Sequence, residues 1–587
     1  MLKALEQHVE SEEYRLALDD IEKVRKRKLD IDDGLRIGVL ESRCWMGLGE
    51  FSKAFTAAQE VVDEGSKFQE HNVQVIEGLL EMASASWGLG QPDAILEKCS
   101  QAEQLRQKLI EQDESLRDSI RADVLLRQSP GWYFKDDVHK AIECAKESVS
   151  INERLGDMPR LVTSLMQLGY LYYEVDRDQT LKYQERGLEL NRELGKPGPI
   201  IYGLCCRALV EIDSRNWNEA ERLIEQSLNL AREHEHRRWM LFILFNSAQL
   251  HLLKGDFRRS EQAYKEYLWW AERAGGELHI ALASNNLGEI YRAQGDFDQA
   301  LKNYERSKEC SKRMGRTKGY LTALANIGLV QYARGDLDEA LTLLEESLAL
   351  AEEQQQAGLL GGLMIPYNLL FIISILIDKG IIFEAQERLE RVRQIRDEKR
   401  TDNIEQVYRM AKALVLKSSM LPRDMLKAEE YLTEIVDSSF FYYEISVLAL
   451  LHLTKLLVNE LQMTGDPDVL SNLEARLTRL FDIASEQGST RLLLETQILQ
   501  SKAALLNLET DRADQLLVQT QYLAEERGFE EISKRIAAEH NMLLNEVSIW
   551  ERLGGDKPQI AKRAEKIRIS EQIGEMIQQG SWRKMLF

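Results

Sequence analysis

The sequence predicts an all-α protein, a solenoid of stacked antiparallel helix pairs, and two observations lead to it. The segments GDFRRSEQAY, GDFDQALKNY and GDLDEALTLL start at Gly255, Gly295 and Gly335 and repeat one pattern every forty residues. A small or apolar residue then recurs in phase along most of the chain, at Ala17, Ala54, Ala94, Ala141, Thr180, Ala220, Ser260, Ala300, Ala340, Ala385, Ala428, Leu473 and Ala513. The spacing is forty throughout from Thr180 to Ala340 and ranges from 37 to 47 outside it. Self-similarity at such a period marks a repeat array. A solenoid grows by adding units and works by presenting an extended surface.

Composition agrees. The 587 residues include only 9 prolines, and 29% are charged, which suits helices with long solvated faces. The net charge of -21 argues against general nucleic-acid binding, which needs clustered Lys and Arg. The six cysteines, at 44, 99, 144, 205, 206 and 310, form no CxxC pair and mostly fall in apolar helical patterns. They read as small buried hydrophobes in a reducing compartment. The N-terminus has no continuous apolar stretch of secretory-signal length, and a cytoplasmic protein is expected. The uncharged run 359–377 is long enough to span a bilayer, yet Gly361, Gly362, Pro366 and Asn368 interrupt it and it sits in phase with the repeats. It is expected to be a buried first helix, with no membrane involved.

One repeat, 280–313, shows the construction. The first helix carries Leu282, Leu287, Ile290 and Tyr291 at helical spacing. Gly288 is small where a facing helix comes close. Gly295 suits the left-handed end of a helix, and Asp296 suits the cap of the next. Ala300, Tyr304 and Ser307 follow on the inner face of the second helix. No single unit buries its stripe alone, so about thirteen helix pairs must stack.

Leu287, Gly288, Tyr291, Ala300, Tyr304 and Ser307 together resemble the tetratricopeptide repeat (TPR) family, and Gly169 with Tyr172 and Gly328 with Ala340 echo part of the pattern. The forty-residue period is similar to the longer-repeat branch found in kinesin light chains, Pins-type polarity adaptors and repeat domains of some prokaryotic regulators. The likeness is strongest over 160–355. It implies a right-handed superhelix whose first helices line a concave face, where peptides or partner segments bind.

The resemblance also implies a site. Asn246, Asn286 and Asn326 recur every forty residues, and asparagines there can bond the backbone of a bound peptide in the long-repeat branch. An amide side chain has donors and an acceptor, so it can read a main chain. A hydrogen bond between repeats is the competing role. Asn285, Glu289 and Arg292 lie on or near the same face. Trp239, Trp269 and Trp270, with Tyr264 and Tyr267, are expected to be packing more than interface. His234 and His236 are expected in a solvated loop, and the run KVRKRK from Lys23 on a solvated helix face.

The array is expected to span 1–553, followed by a capping helix and tail over 554–587. Residues 556–587 carry seven Lys or Arg against four Asp or Glu. Trp582, Leu586 and Phe587 are expected to dock on a protein surface. No phosphate loop, nucleophile elbow or zinc-protease motif occurs. The expectation is therefore a non-enzymatic scaffold with no cofactor, catalytic or metal residue, binding a peptide or protein segment in its groove. The alternative is a sensor module whose superhelix responds to a ligand.

Overall fold

The computed structural model describes residues 2–579 apart from 27–28, 69–70, 110–113, 136, 174, 215, 255, 357–363, 420, 439–442, 487–488, 528, 530–531 and 543–558. Helices from Leu2–Glu10 to Thr510–Arg527 follow one another as thirteen pairs, and no strand occurs among the described residues.

The anchor residues explain the pairing. All but one lie on the second helix of a pair with little or no exposed surface. In ten of the thirteen helices the buried anchor sits three places in, as in Phe51 to Ala54, Val138 to Ala141 and Phe297 to Ala300, whereas Ala428 and Leu473 sit six places into theirs. Ala94 is the exception and a correction. Pro92 opens its helix, so the third place falls on Ile95, which is buried against Val75 and Leu79 while Ala94 is half-buried.

The repeat over Glu277–Gln294 and Phe297–Arg313 is built much as its sequence implies. A Cβ on Gly288 would lie 2.7 Å from the Tyr304 ring, so the glycine permits the close approach. Gly295 has φ +86°, and the Asp296 carboxylate accepts from the Gln299 amide at 3.1 Å. Ala300 and Tyr304 pack with Ile327 and Val330 of the next pair. Leu282 departs from its predicted place and is 37% exposed.

The apolar run is a first helix, Met364–Asp378, buried from Met364 to Ile373 and again at Ile375 and Leu376; residues 359–363 lie outside the described residues. Ile445–Thr464 is long and apolar enough to cross a membrane, but it too is a first helix and mostly buried. Five of the six cysteines are buried, and burial pushes the Cys44, Cys99 and Cys205 thiols up to about 12, far from nucleophilic. Lys23 and Lys26 of the basic run pair with Asp20 and Glu22 on a solvated face; residues 27 and 28 lie outside the described residues.

The chain forms two compact units, Met1–Leu250 with Gln262–Ala283 and His251–Glu261 with Ser284–Phe587. In the first, successive first helices touch directly: Ile31–Gly47 with Asn72–Gly88, then Glu114–Phe134, Met158–Tyr172 and Pro197–Asp213. In the second, Met364–Asp378, Asp402–Ser418 and Tyr443–Thr464 do the same. Packing first helix on first helix makes that side the inside of the curve. Early turns also reach loops several pairs further on. In the first unit Glu12 accepts from the Gly198 amide at 2.7 Å and faces His236 at 3.3 Å. In the second, Arg491 donates to the Ala293 carbonyl at 2.9 Å, and Phe257 meets Phe529 edge-on.

Candidate functional site

The inner face of the second unit carries charge where a solenoid core is normally apolar. Its first helices are long runs of buried residues, so each polar group among them must be satisfied locally. On Glu277–Gln294, Glu289 and Arg292 pair at 2.7 Å one helical turn apart. Tyr304 donates to Glu289 at 2.7 Å. Burial would lower the Arg292 pKa, but Glu289 and the Tyr304 hydroxyl outweigh it and raise it. Burial, reinforced by Glu289, pushes the Tyr304 hydroxyl well above its ordinary value. Asn326 donates to Asn285 at 3.2 Å, linking the first helices of adjacent pairs.

A second cluster lies on Thr490–Leu506. Arg491 and Glu495 pair at 3.2 Å, and Arg535 from the helical stretch 532–542 binds the other oxygen of Glu495. Burial alone would raise the Glu495 pKa; Arg535 and Arg491 outweigh that and hold it below its ordinary value. Two turns further along, Lys502 pairs with Glu539 at 3.1 Å. The stretch 532–542 thus covers the last pair through Arg535, Glu539, Ile532 and Ile536.

Residues beyond it do something else. Ile560–Lys566 and Ile569–Gln579 form two short helices. Ile569–Gln579 packs on Thr317–Arg334, Tyr443–Thr464 and Thr490–Leu506, which are first helices of three different pairs. Ile569, Ile573 and Met576 are buried in that contact, four and three residues apart, as one face of a helix. Gln572 points its amide at the Glu495 carbonyl (3.4 Å) and carboxylate (3.5 Å). The predicted tail contacts of Trp582, Leu586 and Phe587 lie outside the described residues.

The six sequence-predicted residues are all buried and fall in two places. Asn285, Asn286, Glu289, Arg292 and Asn326 belong to the second unit. Asn246 belongs to the first, where it donates to the Cys205 carbonyl of the preceding first helix at 2.8 Å. That bond is of the inter-repeat kind.

The first unit has features the sequence reading missed. Arg43 pairs with Glu81 at 2.9 Å, Arg127 with Asp123 at 3.2 Å, and Arg160 with the same Asp123 at 3.1 Å, which steps charge across successive first helices. The clue was available: Arg43 and Glu81 are 38 residues apart, near one period. Tyr202 stacks on Trp239 at 4.6 Å, and the Arg238 guanidinium lies over Trp239 and Trp87 at 4.9 and 5.6 Å. Tyr264 and Tyr267 are core, whereas Trp269 is 49% exposed. His236 is a correction. It is buried, facing Glu12 and Tyr14, while His234 alone sits in solvent.

Among curated proteins none matches this chain. Of solved structures, a Rap protein complexed with competence and sporulation factor is similar at 15% identity and a TM-score of 0.39, over 58% of this chain and 98% of that one. The apo quorum sensor NprR from B. thuringiensis is similar at 12% identity and a TM-score of 0.36, over 70% and 99%. A STAND protein with a tetratricopeptide repeat sensor from Pyrococcus horikoshii is similar at 13% identity and 0.37, over 53% and 50%. A family model described as a MalT-like TPR region matches residues 203–531, more than half of the chain. Helix pairs in phase, anchors three places into most second helices and first helices lining the inside accord with that match, and the chain belongs to the MalT-like TPR family.

Proposed function

We propose that this chain is a non-enzymatic, cytoplasmic binding protein that takes a peptide or protein segment along the inner face of its second unit. The supporting observation is that this face already holds a polypeptide segment: the chain's own helix Ile569–Gln579 lies across three first helices there. Buried, internally paired charges such as Glu289 with Arg292 keep the face shaped without needing the ligand. Asn285 and Asn326 add amide groups able to pair with a main chain. The test compares partner capture from native lysate by the wild-type chain and by a chain carrying Asn326→Ala with Arg292→Met. Proteins retained by the first and lost by the second are expected. Identical capture by both, with melting unchanged, refutes the site.

The sensor reading draws on one further contact. Arg491 both reaches the Ala293 carbonyl, across the turn of the solenoid, and pairs with Glu495, which meets the occupant of the face through Gln572. Occupancy and curvature of this unit thereby share a residue. X-ray scattering with and without a captured segment distinguishes a responsive unit from a rigid one.

A further inference from the structure

We propose that the second unit is a receptor for an amphipathic helix, and that residues 560–579 are a resident competitor which a partner helix must displace. This deepens the binding function proposed above and rests on it.

Three observations carry the proposal. The first is position. A helix that merely seals a solenoid stacks on the last pair. The stretch 532–542 already does this through Arg535 and Glu539. Ile569–Gln579 instead crosses to Thr317–Arg334, whose pair lies four before the last. The second is chemistry. Ile569, Ile573 and Met576 form one buried stripe, while Glu571 and Glu575 on the same helix stay exposed. That is the signature of a helix laid in a groove, read by apolar anchors at helical spacing. The segment's polar contacts include Ser570 with Asn459 at 3.2 Å, Gln462 with the Ala564 carbonyl at 3.5 Å, Gln572 with Glu495, and Glu575 with Arg535 at 4.0 Å.

The third is frustration. Arg563, on Ile560–Lys566, is buried to 8% exposure. Its Nε and Nη1 have no hydrogen-bond partner, and no carboxylate pairs with it among the described residues. A buried guanidinium with two nitrogens unpartnered among the described residues opposes docking. The resident segment is thus held by its apolar stripe and pushed off by Arg563. A partner helix with the same stripe and no such charge wins the face. The partner class is therefore an amphipathic helix with aliphatic residues at i, i+4 and i+7 and an amide side chain at i+3 to meet Glu495.

The experiment uses the full chain and a labelled synthetic peptide of residues 559–579 added in trans. A tethered competitor acts at an effective concentration on the order of 1 mM. If the trans peptide binds with a Kd of roughly 10 µM, the resident segment weakens it about a hundred-fold. Ile573→Glu with Met576→Glu in the full chain releases the segment. Release is read separately as faster hydrogen exchange over 569–579 with exchange over 402–418, which the segment does not cover, unchanged. The released chain is expected to bind the peptide about a hundred-fold more tightly than wild type, and Arg563→Met to bind it more weakly than wild type. Equal binding by wild-type and released chains overturns the proposal. So does no binding by a released chain that remains folded. Should the charged variant unfold, Asn459→Cys with Ser570→Cys supplies the reverse test. The oxidised, cross-linked chain must bind least and recover on reduction, and no difference between the two states overturns the proposal. A released chain that binds the peptide but captures no more lysate partner sinks the competition. The Asn326 and Arg292 variants then judge the binding function by themselves.

Discussion

Gly288→Ala tests the helix packing at its tightest point. An added Cβ would stand 2.7 Å from two Tyr304 ring carbons and 3.0 Å from a third. Tyr304 is fully buried, so the ring has nowhere free to go. Its hydroxyl is also fixed, donating to Glu289 at 2.7 Å, and Glu289 holds Arg292. Overpacking a core costs about 1–3 kcal/mol. Disturbing a hydrogen bond to a charged group costs about 1.5–3 kcal/mol. Removing a glycine from a helix interior returns about 1 kcal/mol. With central values of about 2, 2 and 1, the net loss is about 3 kcal/mol.

The assay is amide hydrogen exchange over 277–313, because a long repeat array need not unfold in one step. A loss of about 3 kcal/mol accelerates exchange there by about a hundred-fold. In a Tyr304→Phe background the hydrogen bond is already gone. The same substitution should then cost about 1 kcal/mol, about five-fold in exchange. Gly34→Ala is the control, since a Cβ there meets nothing within 4 Å. Exchange in Gly288→Ala within about three-fold of wild type, or equal effects in both backgrounds, refutes the argument that Tyr304 couples packing to the Glu289–Arg292 pair.

Two further outcomes follow from the inner face. Glu495→Leu strands Arg491 and Arg535 without their shared anion and should cost about 3–5 kcal/mol in local stability; adding Arg491→Met should recover most of that, and a double variant as weak as the single one would show that Arg491 is not held by Glu495. Lys417 donates to His452 at 2.8 Å, and burial, aided by nearby Lys455, lowers its pKa to about 8. The unfolded chain binds that proton up to about pH 10.4, so this residue's contribution to stability rises between about pH 8 and that value. Lys417→Met should be more stable than wild type at pH 7 and lose its advantage by about pH 10; a pH-independent difference refutes it.

What the sequence made legible was what repeats. A residue type fixed by local sterics, such as Ala300 or Gly295, recurs whenever the same turn recurs, so period and register could be read together. The one register error came from a local cause: Pro92 set the helix start, and Ile95 took the buried place meant for Ala94. Contacts that join distant parts of the chain leave no periodic trace. His236 was expected to be solvated because its partners, Glu12 and Tyr14, lie more than 200 residues earlier. The apolar stripe of Ile573 and Met576 was visible as a stripe, but nothing in it names the helices it lies on.

The buried charges of the second unit divide by whether they have partners, and the division carries functional meaning. Glu289, Arg292, Arg491, Glu495 and Lys502 sit on first helices and each is paired. Removing one member of such a pair costs more than the pair contributes, so they fix the geometry of the face rather than add to its affinity. Arg563 sits on the occupant and its guanidinium has no carboxylate partner among the described residues. A satisfied charge on the face serves stability; one with Nε and Nη1 unpartnered among the described residues, placed on the occupant, works against docking. Arg563→Met therefore separates the two roles. Burial without charge should slow exchange over 569–579 and leave exchange over 277–294 unchanged, because Arg563 takes no part in the Glu289–Arg292 pair. Equal slowing in both helices would make Arg563 a member of the face, and the occupant would then be an ordinary part of the fold.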